Sequence, residues 1–216
     1  MTSSFQPSLL LESNVASEQQ RLAQPLIRIN RTQLSNGAWV DHLPGWLHDA
    51  DDRFTDLRAL VPWRTEQRLM YERIVRVPRL VAWYPDPTTF PTDWLVQALA
   101  MLNQHYAATG VLVNDPLVSA GCCLYRDGDD SVAWHGDRLG RGRTEDTLVA
   151  IVSLGNPRIF RLRPTGGGRT LNFQLGHGDL CVMGGSAQRT YEHCVPKSRS
   201  ALGPRVSIQF RVAGVA

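Results

Sequence analysis

Residues 203–212 read GPRVSIQFRV, and the fold turns on how this stretch is placed. Successive side chains of a strand point to opposite faces, so Arg205, Ser207, Gln209 and Arg211 share one face while Val206, Ile208, Phe210 and Val212 share the other. A solvated edge strand would leave the polar face in water. Inside a closed β structure the same face would aim two guanidinium groups inward, where they can hold a dicarboxylate by bidentate charge-assisted hydrogen bonds.

The segments before it favour a closed β structure. From Val111 onward, short apolar runs at 121–125, 132–137, 148–154, 158–163, 171–175, 179–183 and 205–212 alternate with Gly, Pro and Asp turns, a spacing that predicts a β-sandwich or barrel. The first half is helical by comparison. A helix is predicted from about Asp49, with Phe54, Leu57, Leu60 and Val61 on one face and Pro62 ending it. A second runs from Asp93 to about Ala107, capped by Thr92, with Trp94, Leu95, Ala98, Leu99, Leu102 and Tyr106 on one face and Gly110 just past its end. Asn36-Gly37 marks a turn, and Arg73–Tyr84 reads as a strand that Pro78 makes an edge strand or breaks. The class is therefore α+β, with helices buttressing one sheet.

At 216 residues the chain fits one domain, set at 26–216, after a polar N-terminal arm, 1–25, expected to be flexible. No apolar run approaches the roughly 18 to 20 residues that cross a bilayer. The N-terminus MTSSFQPSLLLESNVASEQQ lacks a basic region followed by a long apolar one, so a cytoplasmic location and no membrane partner are expected. Cys122, Cys123, Cys181 and Cys194 fit neither a disulfide framework nor a zinc finger and read as small buried apolar residues. A net charge of +3 permits a polyanionic partner without requiring one.

Two runs offer a histidine and a carboxylate two residues apart: Trp134-His135-Gly136-Asp137 and Gly176-His177-Gly178-Asp179. On a strand, His135 and Asp137 project together. His177 and Asp179 sit among glycines, a turn composition that aims side chains at solvent. His135 and Asp137 leave a third ligand to find, with His193 downstream after a glycine-broken segment and His42, His48 and His105 in the helical half; two histidines and a carboxylate on one face of a metal form the facial triad of non-haem Fe(II) oxygenases.

Together, His135-x-Asp137, His193 and the Arg205-x₅-Arg211 spacing resemble the AlkB family of Fe(II)/2-oxoglutarate-dependent dioxygenases. PRLVAWY, LYRDGDDSVAWHGD, VSLGNPRIFRLR, LGHGDLCVMGG, HCVPK and PRVSIQFR are similar, in the same order, to the blocks of its nucleic-acid-repair branch. The resemblance implies a double-stranded β-helix (jelly-roll) core, O₂ as oxidant and oxidative dealkylation of nucleobases in DNA or RNA. It implies Fe(II) on His135, Asp137 and His193, with 2-oxoglutarate held distally by Arg205, at its near end by Arg211, and by Tyr125, Cys123 and Ser207. Cys123 stands where the family has Asn, which replaces an amide by a weak thiol donor. Candidates for stacking a flipped base are Trp83, Tyr84 and Phe90. Arg138, Leu139 and Arg141 replace acidic residues at the substrate mouth, where arginines including Arg143 would meet phosphates. The segment after Trp83-Tyr84 is short, implying a reduced lid. The expected partner is a single strand of DNA or RNA, met by a monomer. Alternative readings are an oxygenase of protein or small-molecule substrates and a non-catalytic nucleic-acid-binding module.

Overall fold

The structure, a computed structural model, describes residues 17, 19–70, 73–112, 115–137 and 140–215, and for 68–70 and 73–76 the backbone alone. Its strands, in chain order, are β1 (Asn30–Gln33), β2 (Trp39–Leu43), β3 (Arg64–Met70), β4 (Arg73–Tyr84), β5 (Leu117–Tyr125) and β6 (Val132–His135). They continue as β7 (Val149–Gly155), β8 (Arg158–Pro164), β9 (Leu171–Leu175), β10 (Asp179–Gly184), β11 (Tyr191–Val195) and β12 (Arg205–Val212). The helices are α1 (Ala50–Leu60), α2 (Asp93–Ala108) and the single turn α3 (Ala187–Thr190).

The larger sheet has the order β1-β2-β10-β7-β12-β5-β4-β3 and the smaller β6-β11-β8-β9, with antiparallel neighbours throughout. From β5 to β12 the chain alternates between sheets: β5, β7, β10 and β12 enter the larger, β6, β8, β9 and β11 the smaller. That alternation is the double-stranded β-helix, or jelly roll.

β12 is no edge strand. It is paired on both sides, with β5 and with β7, so neither of its edges is left open. Val206, Ile208, Phe210 and Val212 are fully buried on the face toward the helices, where α1 meets β7 and β12 and α2 meets β5. Burying each of these side chains stabilises the fold by about 1.5–3 kcal/mol. The opposite face, with Arg205 and Ser207 also buried, looks into the jelly roll. α2 buries the predicted stripe, Trp94, Leu95, Ala98, Leu99, Leu102 and Tyr106, with Met101 added. On α1 the stripe is narrower than expected: Leu57 and Val61 are buried, but Leu60 is 56% exposed on its flank.

Three further expectations need correction. Arg73–Tyr84 is an unbroken inner strand between β3 and β5. Pro78 falls in a bulge, where pairing with β3 jumps from Gln67↔Arg76 to Thr65↔Leu80, and pairing with β5 begins only at Leu80, so its missing N–H costs no ladder bond. The domain also begins before residue 26. Leu22 and Ala23 are buried, His48 N donates to Leu22 O at 2.8 Å and Gln24 N to Trp46 O at 2.8 Å; two apolar residues in a polar stretch suffice to dock it. The rest of the expected arm, residues 1–16 and 18, lies outside the described residues.

The second HGD run does not aim its side chains into solvent. His177 Nδ1 accepts from Gly155 N at 2.7 Å, joining the β9–β10 turn to the end of β7. Its ring packs edge-on to Phe54 of α1. Asp179 is buried and accepts from Gly45 N at 2.8 Å and Gly176 N at 2.7 Å. These are scaffold bonds. Replacing His177 with Ala strands the Gly155 N–H, so His177→Ala is expected to lose about 1–3 kcal/mol of stability while leaving the jelly-roll interior unchanged. Urea unfolding reads the loss, and a wild-type midpoint would show that the bond does not matter.

Candidate active site

The two sheets meet over a cavity lined by His135 and His193 of the smaller sheet and by Tyr125, Cys123, Arg205 and Ser207 of the larger. His135 ends β6 and lies directly opposite His193 of β11 in the pairing register, with ring centroids 4.2 Å apart. Asp137 follows two residues after β6 ends. One ligand atom from each of His135, Asp137 and His193 lies within 4.8 Å of the others, a separation that lets one cation be shared with little movement. Two imidazoles and a carboxylate on one side of a centre are the donor set of a non-haem Fe(II) facial triad. The donors fit the ion that the sequence resemblance implies.

Each donor is held in the form a metal needs. His135 Nδ1 lies 2.9 Å from Ala133 O; a proton there donates to the carbonyl and leaves Nε2 with its lone pair free. Burial drives the His193 imidazole down to about 3, and His135 beside it adds to the shift, so the ring is neutral at ordinary pH. Burial alone would raise the Asp137 carboxyl, but the Arg211 guanidinium, with His193 and His135, outweighs it and holds the group below the usual range. Arg211 Nε donates to Asp137 Oδ2 at 3.2 Å.

Across the cavity, Arg205 is 1% exposed. Its Nε donates to Ser153 Oγ at 2.9 Å, its guanidinium lies 5.1 Å from the Tyr125 ring centroid, and its Nη1 is buried without a partner. Buried charge without a counter-ion is costly, and here burial pulls the guanidinium below its ordinary range. A carboxylate in the cavity would supply what is missing. Tyr125 beside it is buried, with its hydroxyl pushed up to about 12 by that burial. Ser207 Oγ accepts from Gln209 Nε2 at 2.6 Å, and Cys123 Sγ accepts from Arg79 Nε at 3.4 Å.

The cavity opens into a groove of about 590 Å³ that shares Arg79, Cys123, Gln209 and Arg211 with it and adds Arg64, Glu66, Val81 and Trp83. That volume lies within the roughly 300–1,000 Å³ of small-molecule sites. Trp83 is 50% exposed there, with the Arg211 guanidinium 5.9 Å from its ring centroid. Gly121 makes the room: a Cβ on it would lie 2.9 Å from Arg211 Nη1 and 3.2 Å from Gln209 Oε1.

Of the expected stacking residues, only Trp83 faces the groove with its ring. Tyr84 is the next residue of the strand and points to the helix side, where its ring meets Phe90 at 6.2 Å and Phe90 meets Phe210 at 6.1 Å. Tyr84 is a core residue, and Phe90, partly buried, packs against the core. Arg141 is likewise not a free phosphate contact, because its two terminal nitrogens each reach Asp115 at 2.9 Å and its Nε reaches Glu145 at 2.9 Å. Arg138 and Leu139 lie outside the described residues. Sequence reading missed Arg79 and, although it put Gln209 on the inner polar face, gave it no role. Arg79 shares the alternation of Val81 and Trp83 in PRLVAWY, so that signal was present.

Comparison with known proteins gives this geometry a family. A model of the 2OG-Fe(II) oxygenase superfamily matches residues 40–211. The chain is 33% identical over 190 residues to the bovine alpha-ketoglutarate-dependent dioxygenase alkB homolog 3, covering 78% of this chain and 64% of that protein; it thus spans somewhat under two thirds of that relative's length. It is 30% identical over 183 residues to the mouse DNA oxidative demethylase ALKBH2, covering 76% of this chain and 74% of that one. A prolyl hydroxylase from Trichoplax adhaerens, solved with a peptide fragment, shares the fold with a TM-score of 0.59 at 12% identity, over 96% of this chain and 93% of that one. With that match over most of its length, and a His-Asp-His donor set in a jelly roll, the chain belongs to the 2OG-Fe(II) oxygenase superfamily as an AlkB-like member, a family whose metal and cosubstrates are Fe(II), 2-oxoglutarate and O₂.

Proposed function

We propose that the chain catalyses oxidative dealkylation of alkylated bases in DNA or RNA, with single strands as its preferred substrate. The observation that carries this reading is the shared cavity: His135 and His193 on one wall with Asp137 within reach of both, a buried guanidinium with one unpartnered nitrogen on the other, and an exposed indole at the mouth. When bound, Fe(II) with 2-oxoglutarate and O₂ supplies oxidation of the alkyl carbon, and a hydroxymethyl left on nitrogen then departs as formaldehyde.

The chain's own residues do the rest. His135, Asp137 and His193 would hold the metal, and Arg211 keeps Asp137 ionised for it. Arg205 would take the distal carboxylate of 2-oxoglutarate by charge-assisted hydrogen bonds, with Tyr125 and Ser207 beside it. Arg211 thus acts on the metal ligand; a further part for it at the near end of 2-oxoglutarate is compatible with its place in the cavity lining. Trp83 offers its exposed ring for stacking a base, a contact of about 1–3 kcal/mol that tolerates any base. Arg64, Arg79 and Arg211 make the groove basic, with Glu66 as its carboxylate, which suits a phosphate backbone. A single strand spares the cost of extruding the base from a duplex.

Arg205 gives a test that separates binding from folding. Arg205→Met removes an unpaired buried charge, so the cosubstrate-free protein should unfold no more easily than wild type. Its affinity for 2-oxoglutarate should fall by about 3 to 5 kcal/mol, more than a hundredfold. Calorimetric titration decides this, and wild-type affinity would remove Arg205 from the cosubstrate site.

The depressed imidazole of His193 has a consequence for stability. Its folded value, about 3, is below the roughly 6.5 of an unfolded histidine, so between these values the unfolded chain binds more protons. Stability of the metal-free protein should therefore decline as pH falls from about 6.5 toward 3. His193→Gln should flatten that decline in urea titrations at pH 7 and pH 5, whereas an unchanged slope would locate the acid sensitivity elsewhere.

Substrate is tested by formaldehyde release from methylated and unmethylated single strands and a methylated duplex, with His135→Ala, Asp137→Ala and His193→Ala as inactive controls. The expected order is methylated single strand, then duplex, then nothing. Oligonucleotide affinity should fall steeply with salt. Consumption of 2-oxoglutarate with peptides or metabolites but with no nucleic acid would replace this reading by the protein or small-molecule one.

A further inference from the structure

Asp137 lies beyond the end of its strand, where no ladder partner fixes its backbone, yet it must present its carboxylate to the same point as two histidines fixed in β6 and β11. Its carboxylate is held by Arg211. Its backbone is held separately. Asp137 N donates to Gln188 Oε1 at 3.3 Å, and Gln188 is 1% exposed, an amide buried where an unpaired polar group would be expensive. On the carbonyl side, Gly142 presses so close that a Cβ on it would lie 2.2 Å from Asp137 O and 3.8 Å from the Gln188 Cβ. The peptide on either side of Asp137 is thus clasped between Gly142 and Gln188.

Gln188 belongs to α3, the turn that runs directly into β11 and so into His193. The turn is itself fixed, since Ser186 Oγ donates to Asn36 O at 2.7 Å and Thr190 Oγ1 to Ser186 O at 2.9 Å. The Gln188 amide Nε2 points back to Met183 Sδ of β10 at 4.0 Å, a weak acceptor that orients the amide so that Oε1 faces Asp137. One short, anchored turn therefore ends in one metal ligand and grips the backbone of another. We propose that Gln188 is a positioning residue of the metal site: its amide oxygen sets the placement of Asp137 relative to His193, and Gly142 is required to be glycine so that the loop can close the clasp. This rests on the assignment of His135, Asp137 and His193 as metal donors.

The experiment uses the full chain and Co(II), whose absorption bands report its coordination geometry, and needs no turnover. Gln188→Met keeps length and bulk but removes the acceptor. Loss of a partner that orients a ligand costs about 10- to 100-fold in metal affinity, and the variant should show that loss in Co(II) titration together with altered bands at saturating metal. A purely structural part for Gln188 would lower the urea midpoint but leave affinity and bands of the folded protein as in wild type, and that result overturns the proposal. Should Gln188→Met fail to fold, Gln188→Asn withdraws the same amide by one methylene and carries the same expectation; wild-type Co(II) affinity in that variant is equally fatal. Failure of the wild-type chain itself to bind Co(II) would instead overturn the metal assignment, and this inference with it.

Discussion

The buried guanidinium of Arg205 is the constraint around which the rest is arranged. A charge with 1% exposure and one nitrogen unpartnered lowers stability, and the same strand offsets that cost by burying four apolar side chains on its other face. Val206, Ile208, Phe210 and Val212, each worth about 1.5–3 kcal/mol, anchor β12 at the middle of the larger sheet while its inner face is given over to polar groups. Moving this strand to an edge would hydrate Arg205 and remove the buried, counter-ion-free charge from the cavity. Central position, helix cover and the polar cavity are therefore one arrangement.

The jelly roll supplies the second half of that arrangement. Its chain alternates between sheets, so residues far apart in sequence, His135 and His193, become direct cross-strand partners in the smaller sheet while Arg205 faces them from the larger. A pair on the same sheet needs only the strand register to set its separation. Asp137, beyond the ladder, needs extra devices, and it has them: an ion pair on its carboxylate and an amide on its backbone. The burial that keeps His193 neutral would by itself raise the Asp137 carboxyl, and Arg211 with the two histidines reverses the sign there.

Much of this was legible in the sequence where one period governed. Alternation in RVSIQFRV separated the two faces of β12 correctly, and the helical stripe of α2 was complete but for Met101. β11 was not legible as a strand, because YEHCV is short and follows a glycine-broken turn; only its histidine was. Errors came where tertiary contacts overrode a local signal. Pro78 suggested an edge, but the bulge opposite it removes the need for its N–H. His177 and Asp179 suggested solvent, but the glycines around them let backbone N–H groups approach both side chains. Tyr84 and Phe90 were grouped with Trp83 by their aromatic character, although alternation along β4 already put Tyr84 on the other face.

The same contrast divides the site itself. Its inner part is made by strand residues at the centre of two sheets, so a change there disturbs pairing and packing at once and the donor set is tightly determined. Its outer part is made by the inner face of β4, Arg64 and Glu66 of β3, and side chains such as Gln209 that reach past a glycine. Those groups carry little of the core and can vary at small cost. Cys123 lies on the boundary between the two. Its thiol is a poorer hydrogen-bond donor than an amide, but it is set between Arg79 and Gln209, two strong polar groups on the neighbouring strands, so the polarity an amide would have supplied at this point of the cavity is supplied from either side of it. The inner cavity is therefore the part of the molecule that the fold cannot easily change, and the outer groove the part that it can.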